Sequence, residues 1–166
     1  MMQHLITRND IAQYRQISKT PNDAKLNEMI LDAQILDLQP LLGESLYNKI
    51  LASPADYEAL LGGGIYEVDG IGYTNYGLKM VLAYFAYARY VMFASVTDTP
   101  FSVVEKLNPD SRPAETSAKK ALYTLNREAA FQLWENVKRY LTRTRHPDFI
   151  VCKNTAPGGL KLKKIG

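Results

Sequence analysis

The sequence predicts a mainly α-helical protein: a compact bundle of about five helices, a small β-hairpin or loop over 62–75, and an extended C-terminal tail. Three observations carry this. Apolar residues recur at helical spacing through most of residues 24–143. Serine or threonine followed by proline and an early acid marks repeated helix starts. One Asp-Gly pair, Asp69-Gly70, lies between β-formers. The 166 residues suit one domain with a sizeable core, taken as residues 1–147, followed by a basic arm over 148–166.

Taken in order, Thr7 caps a short first helix through Ile11 and Tyr14, with Asp10 in the third position imitating a capping box. Thr20-Pro21 and Asp23 start the next helix, which carries Leu26, Met29, Ile30, Ala33 and Leu36 on one face and stops near Pro40. Leu31, Ile35 and Leu38 extend its apolar surface, so it packs between neighbours. Gly43 opens ESLYNKIL; Ser53-Pro54-Ala55-Asp56 begins a short helix that Gly62-Gly63-Gly64 ends. An isolated hairpin is marginal, so the one around Asp69-Gly70 must lean on helices or on a partner.

Residues 76–96 form the central helix, apolar on most sides through Leu78, Leu82, Phe85, Met92 and Val96 and through Met80, Tyr84, Tyr87 and Val91. Arg89 falls within its first apolar face, and Asp37 falls on the Leu26/Ile30/Ala33 face. A buried arginine needs a partner, so Asp37 and Arg89 are expected to form a buried structural pair. Residues 97–112 read as a loop. A long helix follows from about Pro113 to Arg143, with Leu122, Leu125, Ala129, Leu133, Val137 and Tyr140 toward the core. Lys120, Arg127, Lys138 and Arg145, with Phe131 among them, fall on the far side. This basic stripe is a solvated face or a surface for DNA or an acidic partner. After Pro147 the tail alternates Leu160, Lys161, Leu162, Lys163 and Lys164, a pattern that could add as a strand to a neighbour's sheet.

Charge is uneven. Residues 1–110 hold 8 Lys/Arg and 13 Asp/Glu, whereas residues 111–166 hold 12 and 4. Such asymmetry points to oppositely charged neighbours. The only cysteine is Cys152 and the only histidines are His4 and His146, a poor start for a disulfide framework or a zinc site. No secretory signal is expected, and the longest apolar stretch is interrupted by Lys79 and Arg89, so no membrane span is expected. The sequence has no phosphate loop, HExxH, calcium loop or nucleophile elbow. The expectation is a structural or interaction protein, with no catalytic residues, metal or cofactor, rather than an enzyme; a small enzyme or regulatory protein is the least favoured reading.

Several stretches carry a resemblance: LITRNDIAQY, DAQILDLQPLLGESLYNKIL at 32–51, GLKMVLAYFAYARYVMFASVTDTPFSVVEK at 77–106, and the long helix before RHPDF. Together they resemble the head–tail connector (neck ring adaptor) proteins of tailed phages and of prophages of gut bacteria. The resemblance implies a helical bundle with a protruding hairpin. It implies subunits that form a ring, typically twelve-fold, between portal and tail, and that can be monomeric in isolation. Portal, tail and stopper proteins are the implied partners, with non-specific DNA contact through Lys120, Arg127, Lys138 and Arg145. The implied place is the virion neck, and the host cytoplasm during assembly. The tail at 148–166, with Leu160 to Lys164, would be the arm that docks onto the portal. A tail-completion or other minor structural protein is the alternative.

Overall fold

The structure is a computed structural model and describes residues 3–18, 23–98, 103–105 and 115–149. Helix α1 (Arg8–Ala12) is closed at its start by Asp10, whose carboxylate accepts from the Thr7 amide at 2.7 Å and from the Thr7 hydroxyl at 2.8 Å. The acid in the third position thus serves the reciprocal half of a capping box. Helix α2 (Ala24–Asp32) runs on without a break into a π-helical turn (Ala33–Leu38) and then α3 (Gln39–Leu42). The helical run passes through Pro40 and stops at Leu42, close to the stop expected near Pro40. Proline has no amide hydrogen to give and clashes with the ordinary i−4 carbonyl. A π turn just before it changes the bonding ladder, as the Gln39 amide bonding to the Gln34 carbonyl shows. The chain turns only at Gly43, whose φ of 81° suits glycine.

Helix α4 (Glu44–Ala52), a 3-10 turn (Pro54–Tyr57) and α5 (Glu58–Gly62) lead into strands β1 (Gly64–Val68) and β2 (Ile71–Asn75). These pair antiparallel, with Val68 opposite Ile71 across Asp69 and Gly70. Both turn residues have positive φ, 53° and 76°, as a type I′ turn requires. The expected small hairpin is present.

Helix α6 (Leu78–Phe93) is the centre of the bundle, buried through Leu78, Val81, Leu82, Ala83, Phe85, Ala86 and Ala88. It packs against α2, the π turn, α1, α5 and most extensively α7 (Thr116–Arg143). Where a loop was expected after α6, strands β3 (Val96–Asp98) and β4 (Val103–Glu105) form a second short antiparallel ladder. The core face of α7 also differs from the expectation. Asn126, Ala130, Trp134, Val137 and Leu141 are buried, whereas Leu122 and Leu125 are 42% and 61% exposed. At ~100° per residue the inward stripe is turned by roughly a quarter turn. Phe149, which the sequence reading places in the arm, packs on the bundle, its ring meeting Trp134 edge-on at 6.1 Å.

Candidate functional site

Hairpin β1–β2 is anchored on the second half of α7. The Asn136 side chain takes the Tyr76 amide at 3.0 Å and donates to the Thr74 carbonyl at 3.0 Å. Tyr66 stacks edge-on against Tyr140, with ring centroids 4.8 Å apart, and accepts from Arg143 at 3.2 Å. The Arg143 guanidinium also lies 3.9 Å over the Tyr73 ring. At its base the hairpin is clamped by backbone contact. A Cβ on Gly77 would sit 2.6 Å from the Gly63 nitrogen and the Leu61 carbonyl oxygen. Buried Asn75 closes the clamp, donating to the Ala59 carbonyl at 2.9 Å and accepting from the Gly77 amide at 3.1 Å. Strand alternation sets Tyr66 and Tyr73 on one face and Ile65 on the other. Ile65 is 86% exposed, and Ile71 near the tip is 55% exposed. A hairpin so fixed presents apolar groups to solvent without collapsing onto the bundle.

Within the bundle, the Asp37 carboxylate accepts from Arg89 Nε at 2.8 Å and from Arg127 Nη1 at 2.6 Å. Its side chain is only 3% exposed, against 16% for Arg89 and 25% for Arg127. The cluster joins the π turn, α6 and α7. Burial alone would lower the Arg89 pKa; hydrogen bonding and the charge of Asp37 outweigh it, and the guanidinium is held above its ordinary value. Arg127 is further held among the rings of Phe85, Tyr123 and Phe131 at 5.4–5.7 Å. The π turn also supplies a second buried polar group, Gln34, which accepts from the Leu5 amide at 2.9 Å and donates to the Gln3 carbonyl at 2.9 Å and to Tyr47 at 3.1 Å.

The residues expected to share one outer basic stripe do not stay together. Arg127 turns inward to Asp37, because the rotated α7 brings that position to the edge of the buried face. Phe131 is 42% exposed, and its ring meets Phe85 edge-on at 5.1 Å. Lys120 faces solvent, and Lys138 pairs with Glu135 at 3.4 Å on the same helix. Arg145 lies beyond the helix end and has a φ of 51°. Its amide bonds to the Thr142 carbonyl at 3.2 Å, and the next amide, from His146, bonds back to Leu141 at 2.9 Å. This is a Schellman closure, with Arg145 where glycine is usual. The arm residues Leu160, Lys161, Leu162, Lys163 and Lys164, like Cys152, lie outside the described residues.

A polar lock lies near the last of the described residues. Asp148 pairs with Lys49 and receives the Tyr57 hydroxyl at 3.4 Å. The hydrogen bond from Lys49, and that lysine's charge, hold the Asp148 carboxyl below its usual range. A cavity of about 400 Å³ opens between the N-terminal segment, the 3-10 turn, α5 and Lys79 of α6. Among the described residues there is no cluster of three or more His, Cys, Asp or Glu side chains arranged to hold a metal ion. Among them, too, no helix is long and apolar enough to cross a membrane.

Comparison with curated proteins gives no match, and comparison with solved structures gives none. A family model does match, over residues 38–159, a span that contains α4 to α7, the braced hairpin and both arginines of the ion cluster. The chain belongs to this family, described as a family of unknown function (DUF6712).

Proposed function

We propose that this chain is a structural subunit of a tailed phage or prophage, a head–tail connector that joins portal to tail and acts by protein contact rather than catalysis. The observation that carries the reading is the hairpin. It is anchored to α7 by Asn136, Tyr140 and Arg143 while Ile65 stands 86% exposed at its outer face. Fixed apolar groups on a protruding element suit a neighbouring subunit, because little ordering entropy remains to be lost on contact. The exposed Leu122 and Leu125 on α7 give a second apolar surface. The resemblance of residues 32–51 and 77–106 to connector proteins supplies the specific assembly, and the basic residues of the last third suit an acidic partner or DNA.

Native mass spectrometry of the chain, alone and with the portal protein encoded beside it, tests the reading. Stoichiometric binding is expected, weakened by Ile65→Ser and lost when residues 150–166 are removed. An absence of binding at every salt concentration sinks the connector role and favours a minor structural protein that does not touch the portal.

A further inference from the structure

Hairpin β1–β2 has two long edges, and their surroundings differ. Val68 and Ile71 flank a two-residue turn and so exchange both backbone hydrogen bonds. Antiparallel pairs alternate, so Tyr66 and Tyr73 are also a bonded pair, whereas Ile65–Thr74 and Glu67–Gly72 are not. The N–H and C=O groups of those last four residues point outward, away from the paired strand. On the β2 side α7 covers this edge: Asn136 takes the Thr74 carbonyl and the Tyr76 amide, as a neighbouring strand would. The β1 side has no such cover. Among the described residues β1 pairs with β2 alone, and no backbone hydrogen bond outside that ladder involves Ile65 or Glu67.

Open edges are ordinarily blunted by lysine, proline, a bulge or a covering element. Strand β1 contains neither lysine nor proline and pairs without a bulge. Its one charge is Glu67, which is exposed beside Ile65 on the same face. The edge is also held in place, since Tyr66 is fixed by Tyr140 and Arg143 on the inner face. Little order remains to be lost when a strand is added there. Charge selects the partner. Residues 62–75 hold Glu67 and Asp69 and no lysine or arginine. Among the described residues neither acid is in an ion pair. Arg143 lies over Tyr73, on the face opposite Ile65 and Glu67. A second copy would bring a hairpin of the same sign alongside, whereas a basic strand is attracted.

We propose that the β1 edge accepts an extended basic segment of a partner protein as an antiparallel third strand of this sheet. The outward backbone groups of Ile65 and Glu67 supply the pairing. Two side chains of the added strand, spaced two residues apart, then lie beside them: an apolar one at Ile65 and a cation at Glu67. This strand addition rests on the hairpin being the contact element of the proposed function. It adds the mode of contact and the chemistry of the partner, and it holds whether or not that partner is a portal.

The test is NMR of the isotope-enriched full chain titrated with the peptide Thr-Lys-Thr-Val-Thr, acetylated and amidated at its ends. The Ile65 and Glu67 amides are expected to shift and to exchange more slowly with solvent, while the Gly72 amide on the covered edge stays unchanged. The same peptide with glutamate in place of lysine should bind about fivefold more weakly. The variant Glu67→Lys should reverse that order. A peptide with N-methylvaline, which keeps the side chains but loses a strand hydrogen bond, should not bind. Unchanged Ile65 and Glu67 amides, or equal binding of the N-methylated peptide, overturn the proposal. Concentration-dependent shifts of the same amides without peptide overturn it too, and give the edge to a second copy. No portal protein takes part, so peptide binding without portal binding sinks the connector role alone, and portal binding without peptide binding sinks strand addition alone.

Discussion

Arg127 and Asp37 are 90 residues apart in sequence and joined at 2.6 Å. The contact ties the last helix to the π turn, and Arg89 on the central helix shares the same carboxylate. One acid therefore serves two cations. Removing it leaves two partly buried guanidiniums without their partner, which costs more than removing either arginine. Asp37→Asn is expected to destabilise the fold by about 3 kcal/mol in urea unfolding, the low end for a buried pair because both arginines retain some solvent. Arg127→Met, which keeps the packing against Phe85 and Tyr123, should cost about 1–2 kcal/mol. Equal losses for the two variants would mean that the second arginine contributes nothing to the cluster.

Gly43 and Gly77 have nearly identical backbones, φ 81° and 80° with ψ 151° in both. Their surroundings differ. A Cβ at Gly43 meets nothing within 4 Å, whereas one at Gly77 meets backbone atoms of Leu61, Gly62 and Gly63 at 2.6–2.7 Å. Alanine at either position bears the same conformational strain, about 1–3 kcal/mol. Only at Gly77 does overlap add a further 1–3 kcal/mol or so, since main chain cannot swing aside as a side chain can. The difference between Gly77→Ala and Gly43→Ala in chemical unfolding thus isolates the close approach at the hairpin base. Hydrogen exchange of the β1–β2 amides should rise in the first variant and not in the second.

The hairpin and the first cap were legible because each rests on chemistry local to a few residues: Asp69-Gly70 for the turn, Thr7 and Asp10 for the cap. The pairing of Asp37 with Arg89 was legible as a problem of burial, since each falls on an apolar face. The third member was not. Hydrophobicity places Leu122, Leu125 and Leu133 inward on α7, yet the buried stripe includes Asn126 and Ala130. A polar residue and a small one weaken that stripe's apolar signal, and Arg127 at its edge then looks like solvent-facing charge. Nothing local marks the π turn either, apart from Pro40, which reads equally as a stop.

The rotated face of α7 makes a direct prediction. Leu125→Ser should leave stability within about 0.5 kcal/mol, because the side chain is already largely in water. Trp134→Ala should cost about 3–5 kcal/mol. The contrast, read by urea denaturation of the two variants, would reverse if the leucine stripe were the buried one. Asn126 sharpens the test. Its Nδ2 bonds to the Leu122 carbonyl at 2.7 Å, but among the described residues its buried Oδ1 has no hydrogen-bond partner. Asn126→Leu removes that unsatisfied acceptor and should be neutral or mildly stabilising.

Acid sensitivity should trace to Asp10. Burial alone would raise its pKa, but hydrogen bonds from Thr7 and the charge of Lys79 override burial and hold the carboxyl below its ordinary value. A folded-state pKa below the unfolded one means the stabilisation is fully present above the unfolded value, about 4, and is lost as pH falls through the folded one. Asp10→Asn should therefore lower stability by about 1 kcal/mol at neutral pH. Its difference from the parent chain should shrink as pH drops below 4 or so. A gap that stays constant with pH would assign the effect to packing rather than to charge.

Arg145 closes α7 in a conformation that disfavours any residue with a Cβ, at φ 51°. Both backbone bonds of the closure are already in place, to Leu141 and Thr142. Glycine needs no strain there, so Arg145→Gly should stabilise the protein, by about 0.5–1 kcal/mol after allowing for glycine's greater freedom in the unfolded chain. The arginine is exposed and among the described residues makes no ion pair, so little is lost with its charge. If the cation serves a partner or DNA instead, the same variant should melt higher and bind more weakly. Thermal unfolding and salt-dependent DNA binding, measured on one preparation, separate the two roles. A variant that is less stable than the parent would show that the Arg145 side chain supports the helix end by contacts beyond the Schellman bonds.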